Sequence, residues 1–275
     1  MRSKCLEVDG VAKHHHHPSI GPIPTLEEVT FHVHEREFIG IIGPSGCGKS
    51  TLLKIIAGLD KPTKGEVRLK GETISRPHPK ISMVFQNFAL FPWRTVLQNV
   101  EFGLEVQGVP RETRRRIAMR LIETVGLTGY EHCYPKELSG GMKQRVGIAR
   151  ALAVDPEVVL LDEAFSSVDE FTAQVLRHEV LELWEETGKT FILVTHNLTE
   201  AIEMADRILV LTSRPARVKH VVHVNLKRPR SRTWKSFQRL QHELFELLRE
   251  ELEKCIVRHR LKDIYRKEKI DDIEG

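Results

Sequence analysis

Runs of four or five consecutive apolar residues recur along the chain, separated by stretches in which apolar positions return every third or fourth residue. Segments 38–42, 158–161 and 191–194 are continuous, β-rich and short, as strands buried on both faces would be. Segments 52–57 (closed by Gly58), 111–125 and 142–153 carry helical spacing. Between residues 6 and 38 the pattern predicts short strands, broken by the proline- and glycine-rich stretch 18–24. Segment 65–75, with valine, leucine and isoleucine around Gly71, predicts a hairpin. Strands alternating with helices imply an α/β fold with a parallel sheet. Near the C-terminus, Phe237, Leu240, Leu244, Leu247, Leu248, Leu252, Cys255 and Ile256 recur at steps of three and four among charges, predicting an amphipathic helix. Arg228, Pro229, Arg230 and Ser231 read as the linker before it, dividing the chain into 1–226 and 227–275. The helix's apolar stripe is expected to dock on its own domain.

Composition narrows the class. The 275 residues are 40% hydrophobic and 29% charged, and no apolar run approaches the roughly 20 residues that cross a bilayer. The first ten residues lack the apolar core of a secretory signal, so a soluble, cytoplasmic chain is expected. Cys5, Cys47, Cys133 and Cys255 show no metal-ligand spacing and suit a reducing compartment. From Lys227 onward 14 basic residues face 10 acidic ones, leaving the main body balanced at 28 against 28. A neutral body argues against a nucleic-acid partner. Arg111, Arg114, Arg115 and Arg116 do not change this, because the same helix carries Ile117, Leu121 and Ile122 on its other face, and the charges read as a solvated surface.

Three motifs carry chemistry. Gly43-Pro44-Ser45-Gly46-Cys47-Gly48-Lys49-Ser50 matches GxxxxGK[ST] between a predicted strand and a predicted helix. Small residues there let backbone N–H groups converge on phosphate oxygens, and the following helix points its positive end at the same anion. Lys49 is expected to reach the β- and γ-phosphates of ATP and Ser50 to ligate Mg²⁺, with Thr51 counted in the nucleotide-binding set. Cys47 has two open readings: a thiol activated by the helix terminus and Lys49, or simply a small residue. The strand ending Leu161-Asp162-Glu163 delivers two carboxylates to the edge where ligands bind in parallel sheets. Neighbouring side chains on a strand point opposite ways, so Asp162 is expected to address Mg²⁺ and Glu163 the attacking water. In Leu138-Ser139-Gly140-Gly141-Met142-Lys143-Gln144-Arg145, a serine and two glycines expose a helix N-terminus, a second anion site.

In this order, over about residues 5–229, the motifs resemble those of the ATPase subunit of an ABC transporter. The resemblance implies a P-loop NTPase core with a parallel sheet, an N-terminal antiparallel β subdomain, and a helical subdomain, about 87–150, carrying the LSGG motif. It implies an ATP-dependent homodimer in which Ser139, Gly140 and Gly141 bind the γ-phosphate held by the other copy's phosphate loop. Gln86 falls at the Q-loop position, touching Mg²⁺ and the attacking water. Residues Ser166-Ser167-Val168-Asp169 fill the D-loop, and His196 matches the switch histidine that contacts the γ-phosphate. Integral membrane permease subunits, a separate solute-binding protein and a peripheral position on the cytoplasmic face of the inner membrane are implied as well. The segment Phe91-Pro92-Trp93-Arg94-Thr95-Val96, the form of the LSGG motif and the surroundings of Arg214-Pro215 resemble importers of nitrate, sulfonate, taurine or bicarbonate. Trp93 reads equally as a packing residue or as a contact to a permease helix. The rival reading, a soluble ABC-type ATPase of DNA repair or translation, meets two obstacles. Only about 90 residues separate Lys49 from Leu138, too few for a repair coiled coil, and translation members usually fuse two such domains.

Three positions depart from the family pattern. His15 falls where an aromatic ring usually stacks on adenine, within a run, His14 to His17, that could also bind a metal ion but reads first as a solvated loop. Ala164 replaces a proline after the catalytic glutamate, and Asn197 replaces an aspartate after the switch histidine.

Overall fold

The computed structural model describes the backbone of residues 3–19 and 21–274, with side chains up to residue 254 apart from residue 17. Its first half runs β1 (Lys4–His17), β2 (Gly21–His34), β3 (Phe38–Ile42), α1 (Lys49–Ile56), β4 (Lys64–Leu69), β5 (Glu72–Thr73), β6 (Ile81–Val84), α2 (Val96–Val106) and α3 (Arg111–Thr124). The second half runs α4 (Gly140–Ala153), β7 (Val158–Asp162), α5 (Glu170–Thr187), β8 (Thr190–Val194), α6 (Leu198–Met204), β9 (Arg207–Leu211), β10 (Val218–His223) and α7 (Lys235–Glu274). An antiparallel sheet has the order β2-β1-β4-β5, and a second sheet the order β10-β9-β3-β8-β7-β6. In the second sheet all neighbours are parallel except β10 with β9.

Every residue of β3, β7 and β8 is buried, as the unbroken apolar runs require. Alternation along these strands divides the interior in two. Ile39, Ile41 and Leu160 face a core shared with α1 and the antiparallel sheet, through Leu52, Leu6 and Val67. Phe38, Ile42, Val159 and Leu161 face the other core, beneath the helices, with Val146, Leu176 and Phe237. The result is the α/β architecture expected, with α1 and the antiparallel sheet on one side of the parallel sheet and the other helices on the opposite side.

Two local expectations need correction. Histidines 14 to 17 do not form a loop: they end β1, and His14, His15 and His16 pair with Pro24, Ile23 and Pro22 of β2. The prolines are tolerated because β2 is the outer strand of its sheet, where a missing N–H breaks no ladder. The stretch 18–24 therefore interrupts the strands only briefly, with β2 resuming at Gly21.

The C-terminal segment lies against its own chain. Arg230, buried, donates to the carbonyls of Ile202 (2.5 Å), Ala205 (2.7 Å) and Leu226 (3.0 Å), and Arg228 bonds Asp206 at 2.8 Å and lies over the Trp184 ring. Burial pulls the Arg230 guanidinium down to about 10, with the Arg228 charge adding to the effect. Phe237 and Leu244 of α7 are fully buried, and Leu240, Leu247 and Leu248 pack beside them. Farther along, Glu251 accepts from the Ser213 amide (3.0 Å) and pairs with Lys219 (3.2 Å) and Lys254 (2.7 Å). Burial alone would raise its carboxyl, but these donors outweigh burial and hold it at about 2. The side chains of Cys255 and Ile256 lie outside the described residues.

Candidate active site

Strands β3, β6, β7 and β8 run parallel and end at one edge. In the ladder Ile41 lies opposite Val194, Val194 opposite Asp162, and Leu161 opposite Val84. The segments that follow, 43–50, 195–197, 163–169 and 85–88, therefore converge, and one cleft of about 270 Å³ opens there. It is lined by His15, Thr25, Ser45, Gly46, Gly48, Lys49, Ser50, Thr51, Glu163 and Arg214.

Helix α1 begins without any side-chain cap, so its first amides remain available to an anion. Gly48 precedes it at φ 124°, and a Cβ there would lie 2.9 Å from Leu26 and 3.3 Å from the Thr25 carbonyl. Only glycine fits that turn. Lys49 is buried, and its ammonium donates to the carbonyls of Gly43 (2.9 Å) and Pro44 (3.2 Å), folding the loop about a cation.

Cys47 points the other way. Its side chain is 1% exposed in the core between the sheets, beside Gly43, and it lines no part of the cleft. The activated-thiol reading fails on access, because the turn directs this residue inward whatever the local field. Under native conditions a maleimide is expected to label Cys47 at no more than about a hundredth of the rate of the same chain unfolded in urea, measured by mass of the modified peptide. Equal rates would show that the loop opens freely.

The two carboxylates meet different partners, though not through strand alternation: β7 ends at Asp162, and Glu163 follows it in a turn. Asp162 is buried and accepts a hydrogen bond from Ser50 Oγ at 2.9 Å. Burial pushes its carboxyl above the usual range, and the Ser50 hydrogen bond opposes that only in part. Glu163 has a left-handed backbone, φ 47°, a conformation that costs a non-glycine residue about 1 kcal/mol. Its Oε2 lies 3.3 Å from His196 Nδ1 and accepts from Gln86 Nε2 at 3.2 Å. Gln86 also reaches Ser166 Oγ at 3.4 Å, and that hydroxyl donates to the Glu163 carbonyl at 2.8 Å. Side chains from separate segments thus meet on one carboxylate.

Among the described residues no group of three or more His, Cys, Asp or Glu side chains gathers as a metal cage. The juxtaposed Ser50 hydroxyl and Asp162 carboxylate instead offer hard oxygen donors from two sides, the pattern of a Mg²⁺ shared with phosphates. A nearby cation would also offset the burial that disfavours the Asp162 charge.

Ser139 caps α4, accepting from Met142 N at 3.3 Å. A Cβ on Gly141 would come within 2.7 Å of Thr172 Cγ2, so the glycine lets α4 approach α5 closely. Ser139, Gly140 and Gly141 do not line the cleft of their own chain. Asn197 caps α6 through its Oδ1, which accepts from Thr199 N (2.9 Å) and Glu200 N (3.4 Å); an aspartate would do the same.

Motif reading took Arg214 only as a marker of the importer branch, not as a site residue, and missed Arg150. Arg214 lines the cleft and donates to Pro24 O (3.1 Å) and Thr25 Oγ1 (2.6 Å). Arg150 of α4 donates to Phe88 O (2.9 Å) and Ala89 O (2.7 Å), both residues at positive φ, and so fastens the loop after Gln86 to the helix that Ser139 begins. Trp93, whose role was open, is 71% exposed.

Comparison with known proteins gives the family. Residues 26–166 match the family model for the ABC transporter. An ABC transporter ATP-binding protein of Methanocaldococcus jannaschii is 47% identical, over 85% of this chain and 88% of its own length. The aliphatic sulfonates import ATP-binding protein of Bacillus cereus is 42% identical, over 88% of this chain and 94% of its own. Among solved structures, a dimeric ATP-binding cassette in a post-hydrolysis state with ADP and phosphate superposes with a TM-score of 0.71. That cassette is 34% identical, and the match covers 81% of this chain and 100% of the other.

Proposed function

The chain belongs to the ABC transporter family as an ATP-binding, ATP-hydrolysing subunit, and from that premise we propose that two copies share two MgATP sites to power import of a small solute. One observation carries this reading. Lys49, Ser50 and Glu163 line the cleft and Gln86 and His196 reach it through Glu163, whereas the Ser139 helix start does not line it, which supports its supply by a second copy.

Within each site, the amides opening α1 and the Lys49 ammonium hold the phosphates. Ser50, Asp162 and Gln86 hold Mg²⁺, which neutralises phosphate charge when bound. Glu163 takes the proton of the attacking water, with Gln86 and His196 fixing the orientation of its carboxylate. His196 and the partner's Ser139 helix start stabilise charge on the transferring phosphoryl group. His15, at the mouth of the cleft, meets the adenine ring, and Arg214 beside it borders the same space.

The sulfonate-import name of one relative supports a substrate among sulfonate, taurine, nitrate or bicarbonate. Among the described residues no helix is long and apolar enough to cross a membrane. The import name of the sulfonate relative supports translocation by separate permease subunits, with a solute-binding protein presenting the cargo. Exposed Trp93, in the segment before α2, supports the docking reading of that residue and a peripheral position at the cytoplasmic face of the membrane. The shared-site reading has a kinetic test. In dilute solution phosphate release should rise with about the square of protein concentration, because active dimers form by mass action. Strictly linear dependence down to the lowest concentration would contradict it.

A further inference from the structure

Among the described residues the largest fully buried side chain is an arginine, Arg177 of α5, 1% exposed. Its Nε donates to Glu203 at 2.7 Å and its Nη2 to Glu170 at 3.0 Å. Its Nη1 makes no hydrogen bond and lies 3.6 Å from Glu200 Oε1. Glu200 is buried as well, and its other oxygen accepts from Thr195 Oγ1 at 2.6 Å. Thr195 Oγ1 in turn accepts from Asn197 N at 3.0 Å. Thr195 and Asn197 flank His196. The backbone on both sides of that histidine is therefore tied, through one threonine hydroxyl, to a buried carboxylate facing Arg177.

The far side of the cluster is closed by the C-terminal segment. Arg232 Nε donates to Glu203 at 2.6 Å and its Nη2 to Glu170 at 2.8 Å, the same two carboxylates that hold Arg177. Three carboxylates thus share two guanidinium groups. Arg230 seizes the last carbonyls of α6, and Gln241 Nε2 reaches Thr199 Oγ1 at 3.2 Å, so the segment grips α6 from both ends. Helix α6 follows His196 after its cap, Asn197.

We propose that Arg232 and Arg177 are positioning residues for His196, acting through Glu203, Glu170 and Glu200 on Thr195, so that the C-terminal segment sets the geometry of the γ-phosphate contact. This rests on the reading of His196 as a γ-phosphate contact. Without Arg232, Glu203 and Glu170 are left with Arg177 alone. Arg177 is drawn toward them and away from Glu200, whose contact with it is already the longest, and the threonine hydroxyl loses a fixed acceptor. The inner part of this network, Arg177, Glu200 and Thr195, is buried and has few alternative arrangements, so a change at its exposed end, Arg232 and Glu170, is felt at the other.

Arg232 is the residue to change, because it is 39% exposed whereas loss of Arg177 would strand the buried Glu200 carboxylate. In single-turnover hydrolysis with protein in excess, Arg232→Ala is expected to slow the chemical step about tenfold while the Kd for MgATP changes by less than about twofold. Arg232→Lys should recover about half of the loss. In a His196→Ala background, adding Arg232→Ala should slow the step by less than about twofold further, because the route already ends at the missing ring. A full further tenfold loss in that background would overturn the proposal, as would an Arg232→Ala chain with the parent's rate. A His196→Ala chain that hydrolyses at the parent's rate would overturn the underlying reading of His196 itself, and the positioning role with it.

Discussion

Glu163→Gln is expected to bind MgATP as the parent chain does and to hydrolyse it about 10² to 10⁴ times more slowly. The substitution keeps the shape of the side chain and an oxygen for Gln86 Nε2, now 3.2 Å away. It removes the group able to take a proton from water. His196, 3.3 Å from the same carboxylate, cannot replace it, because its contacts place it as the orienting partner of that oxygen. Phosphate release under steady state gives the rate, and equilibrium titration with ATP gives the affinity. Full turnover by the Glu163→Gln chain would remove Glu163 from the centre of the chemistry.

Lys49→Ala acts on the earlier step. The ammonium lies inside the turn of the phosphate loop, held by the Gly43 and Pro44 carbonyls until phosphates compete for it. A hydrogen bond from a charged group contributes about 1.5–3 kcal/mol, so its loss should weaken MgATP binding about 10- to 100-fold. Calorimetric titration checks the figure. Because α1 keeps its amides and its glycine turn, the fold should survive, and the far-ultraviolet dichroism should match the parent. Unchanged affinity would mean that the phosphates bind elsewhere.

Local signals were legible in the sequence wherever they were repeated or flanked. Continuous apolar runs located β3, β7 and β8 to within a residue, because strands buried on both faces have no polar positions to blur their ends. The phosphate loop announced itself through glycines whose steric reason the fold supplies at Gly48. The histidine run misled because a polar stretch followed by prolines looks like a loop, and nothing local reveals that β2 is an outer strand able to carry them. Cys47 misled differently: helix-terminus electrostatics says what a thiol would become if exposed, but the direction of a side chain in a tight turn depends on what packs around it. Arg177, Arg230 and Arg232 were illegible for a third reason. Their partners come from α5, α6 and the segments flanking them, and a guanidinium in a sequence carries no sign that the carboxylate or carbonyl it meets lies tens of residues away.

The central claim is that a nucleotide is clasped between the phosphate loop of one copy and the Ser139 helix start of another. Sedimentation equilibrium of the Glu163→Gln chain, with and without MgATP, tests it most directly. The account predicts a single chain without nucleotide, a species of twice that mass with MgATP, and reversal of the shift when Ser139 is replaced by arginine. A Glu163→Gln chain that binds MgATP and still sediments as one copy at every concentration would contradict it.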